Sequence, residues 1–247
     1  MRLTNFMPVE NFPVLKCAVS LALAEDQCGE TSKSEFMAPS CLKMAHMRLL
    51  LTSFGHDHIR DFVRGTVAYI PDATRLFADS PEAAPFMETE RNMLREHGLS
   101  IRELPISTST PEEVDRVLGE VDGVYVAGGE TFDLMWLLRS TGNDEVLIKH
   151  VRAGLPYIGT SAGAVIAGPS IEPISLLDSP DVAPNLSDYS GLGLCEHVVV
   201  PHAGGTIPQF PIDVFAETVR TYGAEFPLVL LKDGQALLID DHGVHLI

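Results

Sequence analysis

Leu155-Pro-Tyr-Ile-Gly-Thr-Ser-Ala-Gly-Ala-Val-Ile-Ala-Gly168 decides how this chain is read. A short apolar run enters Gly159-Thr160-Ser161-Ala162-Gly163, and a small-residue helical segment leaves it. This is the pattern of a nucleophile elbow, a sharp strand-to-helix turn that holds a serine Oγ clear of a sheet edge. Glycines two before and two after the serine let neighbouring backbone approach without a clash. Tyr157 and Ile158 suit the strand, Ala162 to Ala167 suit the helix, and the first amides of that helix are open to an oxyanion. Ser161 is the candidate nucleophile.

Working outward, strand-length and helix-length pieces alternate. Met47 to Gly55 reads as a buried first strand ended by glycine, Gly65 to Ile70 as a second, Leu99 to Ile106 as a third and Gly123 to Ala127 as a fourth. Helical patterns cover Pro81 to His97, Pro111 to Leu118, Thr131 to Arg139 and Asp144 to Ala153, before the strand Pro156 to Gly159. Beyond the elbow come a strand at Glu196 to Val200, a helix at Pro211 to Tyr222, and an expected hairpin from Leu228 to Ile239 around Asp233-Gly234. Such alternation predicts an α/β fold of three layers, a mainly parallel sheet with helices on both faces. Residues 1 to 46 lack this pattern and read as a poorly ordered N-terminal extension, with Met44 or Met47 as a possible first residue. Residues 47 to 247 form the single α/β catalytic domain of this reading.

The 247 residues, 45% of them hydrophobic, suffice for one substantial core. Seventeen Lys and Arg stand against 34 Asp and Glu, a formal charge of −17 that repels phosphate backbones and anionic lipid, so neither nucleic acid nor a membrane is an expected partner. No stretch has the eighteen or so uninterrupted apolar residues of a bilayer span. Cys17, Cys28, Cys41 and Cys195 have neither metal-ligand spacing nor the density of a disulfide scaffold. Reduced thiols and a cytoplasmic location follow, and a homo-oligomer is possible.

A serine at its ordinary pKa is a poor nucleophile, so a histidine must take its proton and an acid should orient that histidine. His202 ends the apolar run Val198-Val199-Val200-Pro201, at the carboxyl end of a strand, where sites of open α/β sheets assemble. His242 and His245 sit near the C-terminus, where an α/β-hydrolase keeps its base. His56 and His58 flank Asp57 in a polar loop, too few ligands for a metal, and none is assigned. Two acids compete: Asp233, favoured, in a turn between apolar strands, and Asp178, in the loop between elbow and histidine. Val126-Ala127-Gly128-Gly129-Glu130-Thr131-Phe132 ends a strand in two glycines and opens a helix. The amides of Gly129 and Ala162 are the expected oxyanion pair, with Gly128, Glu130 and Thr131 as substrate contacts.

Three motifs in order, Gly128-Gly129-Glu130-Thr131-Phe132-Asp133-Leu134, Tyr157-Ile158-Gly159-Thr160-Ser161-Ala162-Gly163-Ala164 and Pro201-His202, resemble the aspartyl dipeptidase (peptidase E) family of serine peptidases, to which cyanophycinases are related. The resemblance runs from about Met47 to the C-terminus. It implies a flavodoxin-like or class I glutamine-amidotransferase-like sheet, Ser161 as nucleophile and His202 as base. It implies an acid at Asp233, where the dipeptidase segment carries a glutamate, or at Asp178, near another acidic position. The chain departs from the family in two places. Ala127 and Glu130 replace the first glycine and the asparagine of the usual Gly-Gly-Gly-Asn-Thr-Phe, and between His202 and Pro227 only Arg220 is available as the arginine that binds an aspartyl side chain.

The sequence therefore predicts a peptidase E-like serine peptidase that cleaves a small peptide or related amide through an acyl-enzyme, with no cofactor. The alternatives are an α/β-hydrolase-type esterase using His242 or His245, and a non-catalytic small-molecule binding protein on the same scaffold.

Overall fold

The computed structural model describes residues 47–78, 80, 83–205 and 207–247. The expected extension and three of the four cysteines lie outside them. Strands β1 (Leu49–Thr52), β2 (Thr66–Ile70), β3 (Ser100–Glu103), β4 (Gly123–Val126) and β5 (Tyr157–Thr160) are joined by helices α1 (Ile59–Phe62), α2 (Ala83–Glu96), α3 (Pro111–Leu118), α4 (Thr131–Thr141) and α5 (Asn143–Arg152). After β5 come α6 (Ala162–Val165), β6 (Val198–Val200), α7 (Ile212–Tyr222), β7 (Leu228–Leu230), β8 (Ala236–Asp240) and β9 (Gly243–Leu246). The seven-stranded sheet has the order β3-β2-β4-β5-β1-β8-β9, parallel from β3 to β1 and antiparallel at β8 and β9.

The continuous apolar runs of the sequence have a direct cause, because both faces of the sheet are covered. Leu49, Leu51, Ala68, Ile70, Val124 and Val126 point to one face, where they pack with residues of α3 to α6. Leu50, Val67, Tyr69, Tyr125 and Ile158 alternate onto the other face, against Ile59 and Phe62 of α1 and Leu94 of α2. Three layers result, as the sequence predicts. Among the described residues no helix is long and apolar enough to cross a membrane.

One expectation fails. Leu228 to Ile239 is not a hairpin: β7 pairs in parallel with β6 in a separate two-stranded sheet, whereas β8 pairs with β1. The turn itself is present, with the Gln235 amide donating to the Lys232 carbonyl at 2.9 Å and Gly234 at φ +85°. Pairing the two flanking runs with each other would leave both β6 and the edge of β1 without partners, and unpaired buried backbone is costly. The chain instead crosses from one sheet to the other at this turn. The true hairpin is β8–β9, closed at Asp240 and Gly243.

Candidate active site

The carboxyl ends of β1, β4 and β5 converge on one edge of the main sheet, and the small β6–β7 sheet brings two further strand ends to it. Ser161 follows β5 directly with φ +49° and ψ −112°, a conformation that L residues rarely adopt and that neighbouring structure must enforce. The enforcing contacts are visible. A Cβ on Gly159 would stand 2.3 Å from the Gly163 carbonyl oxygen, and one on Gly163 would stand 2.2 Å from that of Val126. Both glycines are needed for elbow and sheet to pack this closely. Tyr157 ties the turn down from the strand, its hydroxyl donating to the Gly163 carbonyl at 2.6 Å.

His202 and Asp233 meet because their strands are parallel neighbours: Val200 is level with Leu230, so the residues just beyond each strand emerge side by side. Ser161 Oγ lies 3.0 Å from His202 Nε2, and His202 Nδ1 lies 2.8 Å from Asp233 Oδ1. The imidazole stacks on Phe210, with ring centroids 5.7 Å apart and planes within 8°. His202 itself has φ +60°. Ser53, at the end of β1, stabilises this second unusual backbone: its Oγ accepts from the His202 amide at 2.8 Å and donates to Asp233 Oδ1 at 2.6 Å. Ser53 is not among the residues expected from the sequence, where its one signal is a place near the carboxyl end of the first apolar run, Met47 to Gly55.

The other acid, Asp178, is elsewhere occupied. Its Oδ2 accepts from the Thr131 hydroxyl at 2.5 Å and the Thr131 amide at 3.2 Å, and burial pushes its pKa up. His242 and His245 belong to the β8–β9 hairpin, with β9 three strands from β5 in the sheet order, roughly 14 Å at the usual strand spacing.

The glycine loop after β4 is fixed from two directions. Glu130 donates its amide to the Ala73 carbonyl at 2.8 Å, and Gly129, at φ +143°, passes so near that a Cβ would stand 2.3 Å from the same oxygen. Gly128 donates its amide to Glu90 Oε1 at 3.2 Å. That bond commits the Gly128 amide, and Gly128 is not among the described residues that line the cavity over Ser161, whereas Glu130 and Thr131 are. The amides of Gly129 and Ala162 have no partner among the described residues.

Glu90 is a second residue the sequence concealed. It is 1% exposed and accepts from the hydroxyls of Tyr69 at 2.9 Å and Tyr125 at 3.1 Å. Burial pushes its pKa up to about 7 against the opposing pull of these donors. Tyr125 also bonds Thr160 at 2.8 Å, and Thr160 bonds Thr52 at 3.0 Å, so a buried polar chain runs beneath the elbow to the loop.

A cavity of about 630 Å³ opens over Ser161 and His202. Glu130, Thr131 and Asp178 supply its other polar side chains with Gln209, while Phe77, Phe86, Ile174, Leu177, Ile207 and Phe210 make it largely apolar. Arg220 is not part of it: the side chain lies exposed on α7, paired with Glu217. An arrangement of hydroxyl, imidazole and carboxylate beside unpartnered amides can perform acyl transfer.

Comparison with known proteins gives the family of the chain. The model of peptidase family S51 matches residues 49–247. An uncharacterized peptidase of Pasteurella multocida is 33% identical over 177 residues, covering 71% of this chain and 82% of that protein. Peptidase E of Streptomyces coelicolor is 34% identical over 164 residues, 63% of this chain and 64% of that protein. The crystal structure of a Listeria monocytogenes protein assigned to peptidase E superposes with a TM-score of 0.69 at 29% identity, covering 82% of this chain and 98% of that one. The chain belongs to peptidase family S51 and is a serine-type peptidase.

Proposed function

We propose that Ser161, His202 and Asp233 act as nucleophile, general base and orienting acid in the hydrolysis of a small peptide or related amide. Ser161 Oγ attacks the scissile carbonyl as His202 Nε2 takes its proton. Asp233 holds the imidazole in the required tautomer through Nδ1. The Gly129 and Ala162 amides receive the developing oxyanion. His202 then hands its proton to the leaving amine, and a water deprotonated by the same nitrogen releases the acyl group and restores the serine. The observation that carries this reading is the unbroken path from Ser161 Oγ through both imidazole nitrogens to Asp233, at 3.0 and 2.8 Å. It favours Asp233 over Asp178, whose bonds go to Thr131. The test is hydrolysis of a dipeptide panel by wild type and Ser161→Ala side by side. Cleavage that the variant lacks supports the reading; cleavage that survives in the variant refutes it.

A further inference from the structure

The charged groups of the cavity have one sign. Among the described residues no lysine or arginine lines it, whereas Glu130 and Asp178 both do. Each carboxylate is stabilised by the protein on one side only. Glu130 has the Phe132 backbone amide beside it but keeps Oε1 buried without a hydrogen-bond partner, and the bonds of Asp178 go to Oδ2, from Thr131. A buried carboxylate oxygen that lacks a donor is costly, and a ligand that brings a positively charged donor removes that cost. Burial first, and the neighbouring Asp178 charge second, push the Glu130 carboxyl up to about 7, a repulsion that a bound cation would relieve. The remaining wall is largely apolar: beyond Ser161, His202 and Thr131, its one further polar side chain is Gln209.

Resting on the peptidase reading above, we propose that the cavity takes peptides with a free N-terminus and an apolar first residue, the α-ammonium lying against the Glu130 and Asp178 carboxylates. Position selects the α-ammonium over a cationic side chain. In a peptide cleaved after its first residue, the α-nitrogen is only about 2.5 Å from the scissile carbonyl carbon. Its recognition groups must therefore flank the oxyanion donors. Glu130 directly follows Gly129, and Asp178 is tied to Thr131, the next residue along. The two carboxylates exclude an acidic first residue by repulsion, and the apolar wall takes its side chain instead.

The experiment compares kcat/KM for Leu-Leu, N-acetyl-Leu-Leu, Asp-Leu and Lys-Leu with wild type, Glu130→Gln and Asp178→Asn. A charge-assisted hydrogen bond of ordinary strength predicts that Leu-Leu exceeds N-acetyl-Leu-Leu by about tenfold or more, and exceeds Asp-Leu and Lys-Leu as well. Both variants should narrow the gap by lowering Leu-Leu while sparing N-acetyl-Leu-Leu, the one peptide that has no α-ammonium to lose. Equal use of the acetylated peptide, a preference for Asp-Leu or Lys-Leu, or an equal fall on every peptide in Glu130→Gln overturns the proposal; the wild-type panel decides even if a variant fails to fold. Calorimetric binding of the same peptides to Ser161→Ala separates this inference from the peptidase reading. Tighter binding of Leu-Leu than of its acetylated form supports the pocket assignment even if no peptide is hydrolysed, and equal binding overturns it.

Discussion

Replacing Glu90 by glutamine should change how stability depends on pH. Glu90 is 1% exposed, and its carboxyl is pushed from 4.5 up to about 7, chiefly by burial. Because its pKa in the folded protein stands above that of the unfolded chain, the native state holds the proton more tightly. Its contribution is complete below about pH 4.5 and is lost as the pH rises through about 7. Each tenfold change in proton affinity is worth about 1.4 kcal/mol, so the full span amounts to about 3 kcal/mol. About 2 kcal/mol of it falls between pH 5.5 and 8, a range that avoids the isoelectric point near 4.8. Glutamine keeps the shape, can accept from the Gly128 amide and Tyr125, and does not titrate. Urea unfolding of both proteins across that range measures the difference. Glu90→Gln should gain about 2 kcal/mol relative to wild type between pH 5.5 and 8. A difference that stays constant, or one that grows in favour of wild type, refutes the buried, proton-holding carboxyl.

Three further outcomes follow from the contacts. Ser53→Ala removes the donor to Asp233 and strands the His202 amide, so the rate of Ser161 modification by a fluorophosphonate should fall by about 10- to 100-fold; an unchanged rate would show that Ser53 does not support the imidazole. Gly163→Ala forces a Cβ to within 2.2 Å of the Val126 carbonyl oxygen. A loss of about 3 kcal/mol or more in thermal unfolding is expected, and a variant as stable as wild type would mean that elbow and β4 are packed less closely than described. Arg220→Ala, on an exposed face and outside the cavity, should leave the ratio of Asp-Leu to Leu-Leu hydrolysis unchanged; a shift in that ratio would return this arginine to substrate binding.

The parts of the fold that were legible in the sequence are those whose signal is local. The elbow declares itself because a strained turn needs small residues at fixed offsets, and Gly159 and Gly163 are where close backbone requires them. His202 was legible because an apolar strand run ended at it. The Leu228 to Ile239 hairpin was misread because an Asp-Gly turn looks the same whether its flanking strands pair with each other or with distant partners. Only the competition of β1 and β6 for those partners decides it. Ser53 and Glu90 were illegible for a related reason. A serine after a strand and a glutamate in the charged helix stretch Met87-Glu88-Thr89-Glu90-Arg91 resemble ordinary surface residues. Their roles depend on His202, Asp233, Tyr69, Tyr125 and Gly128, far from them in the chain.

Ser161 works as a nucleophile only if His202 takes its proton. The most direct test is fluorophosphonate labelling followed by peptide mapping, with wild type, His202→Ala, Asp233→Asn and Asp178→Asn compared at neutral pH. Modification of Ser161 alone is expected, abolished in His202→Ala, strongly slowed in Asp233→Asn and retained in Asp178→Asn. Labelling at another residue, or labelling of Ser161 that is indifferent to His202→Ala, would contradict this assignment.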